Sequence, residues 1–283
     1  MNPIDRLKNE ISGMTETQRK VADYIIKNSF DSAFLTVDQL ANCVGTSTTT
    51  IMRLMTFLGY SGYTDFQKGL QEMLRDKVNP KTRLETNLRD LKPDDLWKQC
   101  YEKQMQNIQS TFNSLHTDTL DQVVREISRA RKVYIVAARG GAAVAQYLHQ
   151  FLSRIFENIY LINSDAVASW STVIPSVNER DMVVAISYPR YAKAVLQCVA
   201  AMKKRGAFVV GITDGYSAPL ADYSNILLPC ACGSLGFHNS PISAMVLADC
   251  IINVTSLRNS ADVKDRLAMS SEILAEVGYY YNN

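Results

Sequence analysis

Residues 36–60 read TVDQLANCVGTSTTTIMRLMTFLGY, and the organisation of the chain follows from them. Thr36 is an N-cap residue, and Asp38 and Gln39 open a short helix behind it. Val37, Leu40, Ala41 and Val44 fall on one face at helical spacing. Gly45 ends that helix, because glycine takes a left-handed conformation without steric cost. Ser47 caps a second helix with Ile51, Leu54, Met55 and Leu58 on its apolar face and Gly59 at its end. Two short helices around a tight glycine turn make a helix-turn-helix. Such a unit lays its second helix in the DNA major groove with its first residues at the base edges. The residues so placed are Ser47, Thr48, Thr49, Thr50, Met52 and Arg53. Three consecutive threonines cost helix propensity, which is easier to accept where hydroxyls and methyls meet phosphates and bases.

The rest of the N-terminal third reads as helices too. Residues 4–14 are amphipathic, and Thr15 with Gln18 forms a capping box for a helix over 16–28 whose Val21, Ile25 and Ile26 face inward. Residues 28–35 form a turn, and a helix over 65–76 carries Phe66, Leu70 and Met73. This predicts an all-α, five-helix domain over residues 1–77. Residues 78–97, with two prolines, many charges and few core residues, read as a linker holding at most one frayed helical turn.

Beyond it the hydrophobic pattern changes. Pro93-Asp94-Asp95 starts a long helix to about Leu115, and a second runs over 118–129. Continuous apolar runs at 133–137, 159–162, 182–187, 208–213 and 226–228 then alternate with helices over 142–156 and 192–205 and a short one after Pro219. Helices over 240–256 and 263–279 close the chain. Apolar strands alternating with helices mark a five-stranded parallel sheet buried on both faces, an α/β domain over residues 98–283.

Ligands of such sheets bind beyond the carboxyl ends of the strands, where helices begin. That brings together the loops at 138–141, 163–165 and 187–190. Arg139 and Arg190 supply two cations there, and Gly140 and Gly141 open a helix N-terminus. An anion, above all a phosphate, is the expected occupant. Ser164, Asp165, Ser187, Tyr188 and the loop residue His238 complete the expected contact set, although Asp165 can equally cap a helix.

Composition bounds the function. The chain has 283 residues, a net charge of +2 and 47% hydrophobic residues, so it can build two cores but carries no global basic field. Residues 1–77 hold nine Lys/Arg and nine Asp/Glu, so DNA affinity must come from local arrangement. Arg53 is the only charged residue between Val44 and Thr64. No apolar run is long enough to span a bilayer and no leader pattern opens the chain, which predicts a cytoplasmic protein. The six cysteines lie mostly in apolar patterns without metal spacing and read as reduced, buried thiols; no metal or cofactor is expected.

The chain resembles the RpiR family of bacterial transcription regulators, in which an N-terminal helix-turn-helix domain precedes a C-terminal sugar isomerase (SIS) domain that senses phosphosugars. The resemblance is carried by residues 15–25, 36–41, Thr50, Arg53, Leu58-Gly59-Tyr60 and Asp65-Phe66, then by Val133-Tyr134-Ile135-Val136, Ala185-Ile186-Ser187-Tyr188 and Gly211-Ile212-Thr213 with Ser217, Pro219 and Leu220. It implies the SIS fold, a double-stranded DNA operator, an anionic sugar or phosphosugar effector and a homodimer or homotetramer. Two loops depart from the family pattern. The first resembles G-x-G-x-S but reads Ala137-Ala138-Arg139-Gly140-Gly141; the second resembles S-x-S-G-x-T but keeps only Ser187, with Pro189 and Ala192 at the other hydroxyl positions. Three of four phosphate-binding hydroxyls are thus absent, and Arg139 and Arg190 are positioned to replace them with charged contacts.

A phosphosugar isomerase carrying a helical interaction module is the rival reading. Isomerisation needs a base near the substrate carbon. No glutamate lies between Arg180 and Ser271, which leaves the lone His238 as acid-base candidate. Regulation rather than catalysis is therefore expected.

Overall fold

The computed structural model describes residues 3–33, 35–91 and 94–279. Contacts divide the chain into two units, which meet at the bond between Leu91 and Lys92. The first unit is helical: α1 (Pro3–Asn9), α2 (Glu16–Lys27), α3 (Ser29–Ser32), α4 (Val37–Val44), α5 (Thr48–Phe57), α6 (Tyr63–Val78) and α7 (Pro80–Asp90). Leu7, Val21, Ile25, Leu40, Ile51, Leu54, Leu70 and neighbouring side chains form its core, with apolar stripes from α1, α2, α4, α5 and α6. The expected Thr15–Gln18 capping box is present, with Gln18 N–H meeting Thr15 Oγ1 at 3.4 Å, and the Thr36 cap proves to be a second box, with Gln39 N–H meeting Thr36 Oγ1 at 3.2 Å. The connection into α4 is tied to α6, since the Tyr63 hydroxyl donates to Ser32 O (3.2 Å) and Leu35 O (2.9 Å). Gln67 Nε2 adds a bond to Leu35 O at 2.7 Å.

Three expectations change here. The first helix stops at Asn9, and a short 3-10 turn, Ile11–Gly13, follows. The turn over 28–35 contains the single helical turn α3. Within the stretch read as linker, residues 80–90 form the eleven-residue helix α7. Asn79 caps it by accepting from Lys81 N–H at 3.0 Å, and Pro80 sits in its first turn, where a missing N–H costs nothing. Charge-rich composition hid a regular helix start.

The second unit is an α/β domain. It contains α8 (Leu96–Ser114), α9 (Thr117–Arg129), β1 (Val133–Ala137), α10 (Ala142–Leu152), β2 (Ile159–Asn163), α11 (Val167–Val173), β3 (Met182–Ile186), α12 (Lys193–Lys204), β4 (Phe208–Thr213), β5 (Ile226–Pro229), α13 (Ile242–Arg258) and α14 (Ser260–Glu276). Pro93, read as opening α8, lies outside the described residues. The five strands are parallel in the order β2-β1-β3-β4-β5. Alternate residues feed two cores. Val133, Ile135, Val184, Ile186 and Ile212 pack under α9, α10 and α13. Tyr134, Val136, Val183, Ala185 and Val209 pack under α12.

Burial on both faces holds for β1 and β3, whose residues are all buried. It fails at β2, the sheet edge, where Tyr160 and Leu161 are exposed. Beyond the candidate cap at Asp165, nothing in the sequence marks the α11 helix, because its valines, serines and threonine have weak helix propensity. After Pro219 there is only the 3-10 turn Ala221–Tyr223. Of the cysteines, Cys43 and Cys100 are exposed rather than buried. Burial pushes the Cys198 and Cys230 thiols up to about 12, which keeps them unreactive. Among the described residues, no helix is long and apolar enough to cross a membrane, and no cluster of His, Cys, Asp and Glu fits a metal ion.

Candidate functional site

The helix-turn-helix is built as its sequence requires. Gly45 adopts φ 71°, and Thr46 N–H returns to Ala41 O at 2.9 Å, closing α4 and turning the chain. Ser47 then caps α5: its hydroxyl accepts from Thr50 N–H at 3.2 Å and lies 3.0 Å from the Thr50 hydroxyl. Ile51, Leu54 and Met55 are buried, so the opposite face of α5 is presented outward. Thr49, Met52 and Arg53 are exposed on that face, while Thr48 and Thr50 are half-buried. Arg53 has no hydrogen bond or ion pair among the described residues. Thr56, not singled out from the sequence, continues the same face two turns from Thr49, and its hydroxyl donates to Met52 O at 3.1 Å. At the far end, Arg6 Nη1 donates to Leu58 O at 2.9 Å and the guanidinium lies 5.0 Å above the Tyr60 ring. A cation there satisfies a free carbonyl and complements the helix dipole.

In the second unit the strand order reverses between β1 and β3, the position where open α/β sheets bind ligands. Ala137 pairs with Ile186 at this point. The loop after β1 closes over the end of β3: a Cβ added at Gly141 would come within 3.0 Å of Ile186 Cγ2 and 3.1 Å of its carbonyl oxygen. The hydroxyl-bearing residue of the family pattern would therefore crowd Ile186, which would have to give by a few tenths of an ångström. Neither α10 nor α12 has a side-chain cap, so their first amides are not claimed by side chains.

Arg139 and Arg190 both adopt the left-handed region, at φ 53° and φ 66°. Both stand where the family pattern has glycine, which explains the backbone but not the residue. Each is exposed and has no hydrogen bond or ion pair among the described residues. A strained conformation persists only where the surroundings over-determine it, and at Arg190 they do. Asn239 Nδ2 donates to the carbonyl of Pro189 at 3.0 Å, just before it. The Tyr191 hydroxyl donates to Asp214 Oδ1 at 2.9 Å, just after it. The Thr213 hydroxyl also donates to Asp214, at 3.1 Å. Burial holds the Asp214 carboxyl above its ordinary range, and these bonds pull it part of the way back. Tyr191 and Asn239 were missed in the sequence because their role depends on loops distant along the chain.

The remaining expected contacts separate into two groups. Asp165 and His238 are exposed at the strand-end loops. Asp165 does not cap α11, whose N-cap is Ala166 without a side-chain bond. His238 lies edge-on to Phe237, with ring centres 5.5 Å apart. Ser164 and Tyr188 face inward instead. The Ser164 hydroxyl donates to Ala137 O at 3.0 Å and ties the end of β2 to β1. Tyr188 falls on the same side as Ile186 and packs in the core beneath α10 and α13, where burial pushes its hydroxyl well above the usual tyrosine range. Ser187 is buried too, anchored by its N–H to Ile212 O at 3.1 Å. The exposed part of the mouth is thus Arg139, Gly140, Arg190, Asp165 and His238.

Comparison with known proteins agrees with both halves. Residues 1–77 match the helix-turn-helix domain of the rpiR family, and residues 126–253 match the SIS domain. In fold the chain is similar to the Vibrio vulnificus NanR protein, solved in complex with ManNAc-6P, at TM-score 0.62 and 22% identity, over 99% of this chain and 100% of that one. The sugar isomerase domain of an RpiR transcription factor from Sphaerobacter thermophilus matches at TM-score 0.61 and 20% identity, over 63% of this chain and 99% of that one. The protein c3406 of E. coli CFT073 matches at TM-score 0.51 and 16% identity, over 62% of this chain and 98% of that one. A helix-turn-helix domain followed by a SIS domain defines a transcription regulator with a sugar-isomerase-like domain, not a free-standing isomerase. The chain belongs to the RpiR family.

Proposed function

We propose that this regulator binds operator DNA through the exposed face of α5 and that an anionic sugar, foremost a phosphosugar, occupies the mouth between Arg139 and Arg190 and modulates that binding. The observation that carries the effector half is the pair of exposed arginines, without partners among the described residues, held at positive φ where the sheet order reverses. A guanidinium has donors only, in a fork that fits phosphate or carboxylate. NanR, similar in fold over its whole length, was solved with a phosphosugar, which supports the same ligand class here. Residues 1–77 serve as the DNA-binding domain and residues 98–283 as the sensing and oligomerising domain.

A homodimer or homotetramer is part of the proposal. One helix-turn-helix reads too few base pairs for useful specificity, and two-fold symmetry doubles the site. The α14 helix has no buried residue and exposes Leu267, Met269 and Ile273, which a second copy can cover. The protein acts in the cytoplasm, where its DNA is.

The test has two arms. Selection from a random duplex pool identifies the operator, and titration of that duplex with and without ManNAc-6P, a hexose 6-phosphate, a pentose 5-phosphate and inorganic phosphate follows. One sugar phosphate should bind, without turnover, and change the DNA affinity. Turnover abolished by His238→Ala would replace this reading with the isomerase. Failure to enrich any duplex would remove DNA binding.

A further inference from the structure

Residues 230–241 form neither helix nor strand and are bonded on two sides. On the mouth side Asn239 holds the carbonyl of Pro189, next to Arg190, at 3.0 Å. On the other side three polar residues along one face of α8 hold the same loop. Ser240 Oγ donates to Gln104 Oε1 at 2.5 Å, Asn107 Nδ2 donates to Gly233 O at 2.6 Å, and Thr111 Oγ1 accepts from Ala231 N–H at 2.9 Å. Asn107 and Thr111 are only 4% and 1% exposed. Buried polar groups that lose their partners are costly, so this loop and this helix face hold together when either moves.

The α8 helix is secured unevenly. Phe112, near its end, and Leu115, just past it, pack on the core, whereas residues 96–102 include no buried residue. Its exposed end is also the end that follows the division between the two units at Leu91. A helix pivoting near Thr111 and gripped by a loop that touches the mouth is built as a lever.

We infer that residues 230–241 and α8 carry the occupancy of the arginine mouth to the chain segment leading to the DNA-binding unit. The inference rests on the mouth being the effector site. A ligand bound by Arg190 and His238 meets this loop directly at residue 238 and, beside Arg190, through the Pro189 carbonyl that Asn239 holds, and its differential contact is passed to α8 through the bonds at Gln104, Asn107 and Thr111. Coupling then needs no direct contact between ligand and α8, only two arrangements of the loop that the ligand distinguishes.

The test is hydrogen–deuterium exchange on the full chain, with and without whichever of ManNAc-6P, a hexose 6-phosphate, a pentose 5-phosphate or inorganic phosphate binds. In the parent protein, binding should change exchange in residues 230–241 and also in residues 96–106. In Asn107→Ala the probe should still bind, with the loop still responding and the response in α8 lost. Ser240→Ala, which cuts the bond to Gln104 instead, carries the same expectation if the first variant does not fold. Binding that depends on Arg190 but leaves α8 unchanged in the parent overturns this inference alone, as does an undiminished α8 response in both variants. A parent protein that binds none of the probes overturns the effector site and this inference with it.

Discussion

The hydroxyl of Tyr191 donates to Oδ1 of Asp214 at 2.9 Å, joining the loop after β3 to the loop after β4 directly behind Arg190. The carboxylate is half-buried, and its desolvation raises its pKa above the ordinary 3.8. Between those two values the folded chain keeps a proton that the unfolded chain has released, so this group makes stability fall as pH rises through the window. Asp214→Asn keeps an acceptor for Tyr191 and removes the charge. The melting temperature of the variant relative to the parent should therefore increase as pH is raised through the window and then level off. A difference that shrinks with rising pH would show that the ionised carboxylate is the favoured form.

Arg190 and Arg139 separate stability from binding. A left-handed non-glycine residue costs about 1–2 kcal/mol, so Arg190→Gly should melt higher than Arg190→Ala by up to that amount, reduced by the freedom glycine gains when unfolded. Both variants lose a charge-assisted contact of about 1.5–3 kcal/mol, so effector affinity should fall roughly ten- to a hundredfold in each. Calorimetry and thermal melting read the two effects independently. A glycine variant less stable than the alanine variant would mean that the left-handed backbone is not strained.

Restoring the family's hydroxyl at the first loop should not restore its chemistry. Gly141→Ser places a Cβ within 3.0 Å of Ile186 Cγ2 and 3.1 Å of its carbonyl. Overpacking of this kind costs about 1–3 kcal/mol. The variant should unfold at lower temperature and bind the effector no better than the parent; an unchanged melting curve would show that the loop yields at no cost.

Arg53→Ala should keep the fold, because the side chain is exposed and unpaired among the described residues. It should lower operator affinity. If Arg53 contacts phosphate, the slope of log affinity against log salt should become shallower by about 1. Thr49→Ala should instead alter which duplexes are selected, as base-edge contacts do. Equal operator binding by Arg53→Ala in a gel-shift titration would take α5 out of the DNA interface.

Local chemistry is what the sequence by itself determined. The Thr15–Gln18 capping box, the Thr36 cap, the glycine turn at 45, the Ser47 cap and the apolar face of α5 depend on residues within one or two helical turns, and all were legible. Strands β1 and β4 were legible to the residue, because a strand buried on both faces is written as an unbroken apolar run. Even where the sequence misled, at α7, the signal was present as Asn79-Pro80 and was masked only by charge-rich composition.

Tertiary structure decided the rest, because contacts between residues far apart in the chain leave no periodic trace. The sheet order set which loops meet, and so put the loop that carries Arg139 against the end of β3. Alternation along β3 turned Tyr188 into the core and away from the mouth. Positive φ at Arg139 and Arg190 follows from how each loop must close on its neighbours and not from any preference of arginine. The bonds from Asn239 to Pro189 and from Asn107 to Gly233 span 50 and 126 residues, and only the folded chain brings those groups within hydrogen-bond reach.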